Sequence, residues 1–216
     1  YGARQVGKTW ILREFGNNEY DELIYINCDN NPAVQNLFYD YDIERIIRGI
    51  SAITGKKINP ETSLIFFDEI QEVPAGLTCL KYFSENTPQY HIVAAGSLLG
   101  INTHQGSGFP VGKVDTLNIY PLSFKEFLLA MKQDMLLSDM ENHDWIASSA
   151  LADVYIELLR QYYFTGGMPE PVKCYIETKD IHEFRNIQNR LLDDYRRDFF
   201  KHIPSAIIPK VNMVWD

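Results

Sequence analysis

A chain of 216 residues with 45% apolar and 23% charged content is long enough to bury a hydrophobic core without disulfide or metal staples. No apolar run approaches the ~20 residues that a helix needs to cross a bilayer, which excludes that class of membrane protein. The formal net charge of −9 shows no basic excess of the kind a binder of bare nucleic-acid backbone carries, and Cys28, Cys79 and Cys174, far apart and without CxxC spacing, read as reduced, buried thiols of a cytoplasmic protein.

The chain opens on Gly2-Ala3-Arg4-Gln5-Val6-Gly7-Lys8-Thr9, which matches G-x-x-x-x-G-K-[ST] at every fixed position. A random chain of this size matches on the order of once in a hundred times. The glycines let the backbone turn tightly and approach phosphate. Successive N–H groups then form an anion nest, helped by the N-terminus of the following helix. Lys8 is expected to reach the β- and γ-phosphates, Thr9 to place its hydroxyl on Mg²⁺, and Gly2 through Trp10 to line the nucleotide. Such a loop sits between a buried strand and a helix. Only Tyr1 precedes it, so that first strand is expected to lie upstream.

Lys8 to Phe15 predicts a short helix stopped by Gly16-Asn17-Asn18. Leu23 to Asn27 predicts a strand and Asn30-Asn31-Pro32 a turn. Ala33 to Phe38 and Ile43 to Thr54 predict helices, the second with Ile43, Ile46, Ile47 and Ile50 on one face. After a loop from Gly55 to Thr62, Ser63 to Phe67 predicts a strand ending in Asp68-Glu69. A helix from Pro74 to Glu85 and a strand from His91 to Ala95, ending at Gly96-Ser97, follow. Leu99 to Asp115 reads as a loop and Thr116 to Tyr120 as another strand. Ser123 and Glu126 have the spacing of a capping box that opens a helix to Lys132. Beyond it the pattern is helical: Asp144 to Phe164 as one segment, a break at Gly166-Gly167-Met168-Pro169, then Pro169 to Tyr175 and Asp180 to His202. Val211, Met213, Val214 and Trp215 read as the opening of a further apolar element, so the chain is expected to continue. Strand–helix alternation to about residue 132 argues a parallel sheet with helices on both faces, and the helical remainder argues a lid.

Ligands of parallel sheets bind outside the carboxyl ends of the strands. At the end of Leu64-Ile65-Phe66-Phe67, Asp68 is placed to hold Mg²⁺ and Glu69 to act as base for an attacking water. Ser97, at the next strand end, is placed to orient that water or sense the γ-phosphate. Lys113 reads as a solvated lysine, with reach to a phosphate in its own site or a neighbour's as the alternative. Arg160, Arg185, Arg190, Arg196 and Arg197 read singly as surface ion-pair partners, with an arginine finger in trans open for one of them. His91, His104, His143, His182 and His202 show no metal-ligand spacing.

Three motifs in order, Gly2 to Thr9, then Phe67-Asp68-Glu69-Ile70-Gln71-Glu72-Val73-Pro74, then Ala95-Gly96-Ser97-Leu98-Leu99-Gly100, resemble the AAA+ ATPases of bacteria and archaea. Tyr120 to Leu128, Gly166-Gly167-Met168-Pro169-Glu170, and Leu192 to Phe200 with Tyr195 and Asp198 extend the likeness over nearly the whole chain. The resemblance implies an α/β fold, a P-loop NTPase sheet of order 5-1-4-3-2 with its first strand missing, flanked by helices and followed by a small helical lid. It implies Lys8 and Thr9 as Walker A residues, Asp68 and Glu69 as Walker B residues and Ser97 as sensor 1. Residues 1–132 would form the core, 133–203 the lid and 204–216 the start of a truncated winged-helix-like segment. Relatives usually continue into a restriction-endonuclease-like domain. Many carry an arginine near the position of Lys113. The function implied is Mg²⁺-dependent ATP hydrolysis coupled to movement of the lid or a partner. A non-hydrolysing ATP switch and a nucleic-acid-associated ATPase regulator stay open beside it. So do a homo-oligomer and a protein or DNA partner reached through the missing C-terminal region.

Overall fold

The computed structural model describes residues 1–97, 112–202 and 205–215. Most of the expected loop 99–115, and the Leu98-Leu99-Gly100 stretch of the third motif, lie outside the described residues.

Ser63–Asp68 forms a strand, β2, with all six residues buried. Burial on both faces follows from an almost unbroken apolar run in a parallel sheet. β1 (Glu22–Asn27) and β3 (His91–Ala94) flank it, both parallel, in the order β1-β2-β3. The two-residue period of a strand sorts the side chains. Ile24, Ile26, Ile65 and Phe67 enter one core with α3 (Ile43–Thr54) and α4 (Pro74–Asn86). Tyr25, Phe66 and Asp68 turn to the opposite face, toward α1 (Lys8–Glu19). On α3 the four isoleucines expected on one face are all buried, and Asp42 caps the helix by accepting from Arg45 N at 3.1 Å. Between β1 and α3 the expected helix divides into α2 (Pro32–Gln35) and a 3-10 turn, Asn36–Phe38.

Three expectations are corrected. Gly16 does not stop the first helix, which runs on to Glu19. It is a packing glycine: a Cβ there would lie 2.6 Å from Leu23 Cδ1 and 3.2 Å from Leu64 Cδ2, so its small size lets α1 approach the sheet. Residues 116–120 form no strand ladder. Ile119 makes a single parallel bridge to Gly2 and its N–H donates to Tyr1 O at 2.6 Å, while Leu117 O accepts from the Tyr1 amino group. A ladder needs a partner along its length, and among the described residues the β-pairing of this segment is limited to that bridge. The segment expected as one helix over 144–164 breaks at Leu151 into α7 (Trp145–Ala150) and α8 (Ala152–Thr165). Leu151 leaves the helical region (φ −107°, ψ 18°), and α7 buries no residue that would hold it in line.

The chain divides into two compact units, Tyr1–Ile119 and Tyr120–Asp216. In the second, the capping box opens α5 (Phe124–Ala130): Ser123 Oγ accepts from Glu126 N at 3.3 Å, and Glu126 Oε2 accepts from Ser123 N at 2.6 Å. Leu128, Leu136 on α6 (Asp134–Glu141) and Leu158 on α8 form its buried cluster. α9 (Pro169–Thr178) and α10 (Ile181–His202) follow, and the apolar tail forms α11 (Ile208–Trp215). Among the described residues no helix is long and apolar enough to cross a membrane.

Gly2 is pinned on both sides, with parallel bridges to Ser97 and Ile119. A Cβ at this position would stand 2.3 Å from the Ile119 carbonyl oxygen, a backbone atom that cannot swing away. Gly2→Ala is therefore expected to lower the unfolding free energy by about 1–3 kcal/mol, read from urea denaturation.

Candidate functional site

The loop from Gly2 to Thr9 is anchored by Val6, which is buried, and turns through left-handed backbone at Gln5 (φ 62°) and Gly7 (φ 91°). Gly7 adopts that conformation without a side-chain penalty and precedes the first residue of α1. Lys8 is only 8% exposed. Its ammonium donates to Gly2 O at 3.1 Å and Ala3 O at 2.6 Å, which folds the side chain back along the loop. Burial pushes its pKa below the ordinary lysine value, opposed by the carboxylates of Glu69 and Asp68 and assisted by Arg4.

Thr9 and Asp68, 59 residues apart, meet at this point: Thr9 Oγ1 donates to Asp68 Oδ2 at 2.9 Å. The carboxylate is 5% exposed. It also accepts from Tyr25 Oη at 3.0 Å, again on Oδ2, and from the Glu69 N–H at 3.2 Å on Oδ1. The adjacent Glu69 has left-handed backbone (φ 53°, ψ 45°), which turns the chain sharply at the end of β2. A 3-10 turn, Ile70–Glu72, follows, held to the end of β3 by Ile70 N donating to Ala95 O at 3.0 Å. Gln71, itself buried, donates its carboxamide N–H to Glu69 Oε2. Ser97 is buried and paired with Gly2, so it sits beside the start of the loop.

The structure thus brings together Gly2, Lys8, Thr9, Asp68, Glu69 and Ser97. Ala3, Arg4, Gln5 and Val6 lie between them on the loop. Trp10 is 67% exposed, on the first turn of α1. Two neighbours escaped the sequence reading. Tyr25 looks like any strand residue until the β1–β2 register sets it on the same face as Asp68. Gln71, two residues after Glu69, showed no feature that tied it to that carboxylate.

The donor set suits a small hard cation. A hydroxyl and a carboxylate within 2.9 Å offer oxygen ligands of the kind Mg²⁺ takes, and Mg²⁺ sites commonly use one or two carboxylates with water and phosphate. Among the described residues no group of three or more His, Cys, Asp or Glu forms a metal cage. The cysteines are buried and free, as expected, with the Cys28 and Cys79 thiols each pushed up to about 12, chiefly by burial. Lys113 pairs with Glu85 at 3.1 Å. Arg160, Arg190 and Arg197 pair with Glu157, Glu170 and Asp194.

The AAA domain family matches residues 1–128, and a domain family of unknown function (DUF8612) matches residues 156–216. No curated protein matches the sequence. Among solved structures the chain is similar in fold to a Walker-type ATPase of Pyrococcus abyssi. That likeness has a TM-score of 0.51 at 15% identity and covers 93% of this chain and 67% of the other.

Burial of the Lys8 ammonium has a pH signature. Its folded-state pKa lies below the ordinary 10.5. Below that folded value both states hold the proton and the full burial penalty applies. Between the two values the unfolded chain binds more protons, so stability rises with pH. Lys8→Met removes the buried charge. The variant is expected to be more stable than wild type at pH 7, by on the order of 1 kcal/mol, with the gap closing as pH climbs toward 10.5. Urea midpoints at pH 7 and near pH 10 check this, and a constant gap would contradict it.

Proposed function

This chain belongs to the AAA domain family, and we propose that it binds ATP with Mg²⁺ and hydrolyses it. The observation that carries this reading is the meeting of Thr9 with Asp68, beside Lys8, at the carboxyl end of a buried parallel strand. The loop from Gly2 to Thr9, with Trp10 following, lines the nucleotide. Its amides and the Lys8 ammonium bind the phosphates. Thr9 and Asp68 would hold the cation, which when bound would neutralise negative charge on the phosphates. Glu69 takes a proton from the attacking water at its carboxylate as the water oxygen bonds to the γ-phosphorus and the bond from that phosphorus to the β–γ bridging oxygen breaks, leaving ADP and inorganic phosphate. Ser97 orients that water.

We further infer the five-strand order 5-1-4-3-2. The parallel bridges of Gly2 to Ser97 and to Ile119 support it, since they set the loop's entry between the end of β3 and residues 116–119. Residues 1–132 act as the nucleotide core and 133–203 as a helical lid that passes the nucleotide state to a partner or to a second copy. Residues 204–216 begin a winged-helix-like segment.

One observation favours a second reading. Glu69, the base, is already engaged by the Gln71 carboxamide, as a switch that binds ATP without turning it over would require. Steady-state ATP turnover by wild type and Glu69→Gln separates the two. Hydrolysis predicts a fall in kcat of roughly 100-fold or more in the variant, with ATP affinity retained. A wild type that binds ATP yet turns it over no faster than the variant selects the switch.

A further inference from the structure

We propose that Tyr25 is a positioning residue for the Asp68 carboxylate, held in place by Arg13; the inference rests on the reading of Thr9 and Asp68 as the Mg²⁺ site. Asp68 Oδ2 receives two hydroxyl hydrogens, from Thr9 on α1 at 2.9 Å and from Tyr25 on β1 at 3.0 Å. A carboxylate oxygen has two lone-pair directions, and both are used here. The terminal torsion of an aspartate is broad, so Thr9 alone leaves the carboxylate plane free to swing. The second donor comes from a strand whose register with β2 is fixed by hydrogen bonding, Tyr25 opposite Phe66 and Asn27 opposite Asp68. With the Glu69 N–H on Oδ1, three elements of the chain fix the plane.

Tyr25 is itself clamped. Its ring packs edge-on against Phe66, with centroids 5.4 Å apart, and the Arg13 guanidinium lies 3.8 Å from its centroid. Arg13 is one turn beyond Thr9 on α1. The helix that supplies the first hydroxyl thus also holds the second, and the two donors stay in register with each other. With its hydrogen given to Asp68, the Thr9 oxygen keeps its lone pairs for the cation. Loss of the Tyr25 hydroxyl should therefore weaken the cation-dependent part of nucleotide binding and spare the cation-independent part.

Titration of the intact protein with a fluorescent methylanthraniloyl-ATP tests this, first in EDTA and then across a Mg²⁺ series. Tyr25→Phe keeps the ring and removes one hydrogen bond to a charged group. It is expected to raise the Mg²⁺ concentration at half effect by about tenfold, with affinity in EDTA close to wild type. Arg13→Ala, which keeps the hydroxyl and loosens the ring, should move the half-point the same way by about threefold. Tyr20→Phe serves as the control, since that hydroxyl pairs with His91 Nδ1 at 2.9 Å, away from Asp68. A Tyr25→Phe half-point equal to wild type overturns the inference alone. An Arg13→Ala half-point equal to wild type overturns the clamp. A wild type whose binding ignores Mg²⁺, or that binds no analogue, overturns the metal or nucleotide reading and the inference with it.

Discussion

Burial of an aspartate at the end of a wholly buried strand is the constraint from which the rest of this site follows. A carboxylate taken out of water is costly unless its oxygens are supplied with donors. Asp68 receives three: the Thr9 hydroxyl from the first helix, the Tyr25 hydroxyl from the neighbouring strand and the N–H of Glu69. Each donor comes from a different stretch of chain, so satisfying one charge ties the phosphate-type loop, β1 and the turn after β2 to one point. The apolar residues of β2 hold that point in place, because Leu64 to Phe67 are packed on both faces and leave the strand no alternative register.

The same site concentrates features that work against stability. Lys8 is buried with its charge, answered by two loop carbonyls and by the field of Asp68 and Glu69. Gln5 and Glu69 both carry side chains in left-handed backbone, a conformation usually left to glycine. Strain of this kind persists only where the surroundings over-determine it. Here the Ile70 N–H on Ala95 O, the buried Val6 and the paired Gly2 do so. A loop with its lysine and two carboxylates within electrostatic reach fits the proposed phosphate and cation better than it serves its own folding energy.

Gly16 and Leu151 show how local rules were overridden. A glycine after an apolar helix reads as a stop, yet at position 16 the absent side chain is what lets the helix meet Leu23 and Leu64. A helical periodicity continues unbroken through Leu151, yet one residue leaves helical backbone and splits the segment. Neither outcome depends on the flanking sequence alone. The first is set by a sheet face that other residues build, the second by which turns find something to bury.

The sequence by itself determined the strands, read at 23–27, 63–67 and 91–95 and observed within one residue of those bounds, the amphipathic helix at 43–54, the capping box at Ser123 and the residue types of the phosphate-type loop. Each of these rests on short-range periodicity or fixed local spacing. Only the tertiary structure decided that Thr9 reaches Asp68, that Tyr25 shares the same oxygen and that Gln71 engages Glu69. It also decided that residues 116–120 hold a single bridge in place of a ladder. Those outcomes depend on strand register and on which partner lies alongside, and both are set by contacts between residues far apart in the chain.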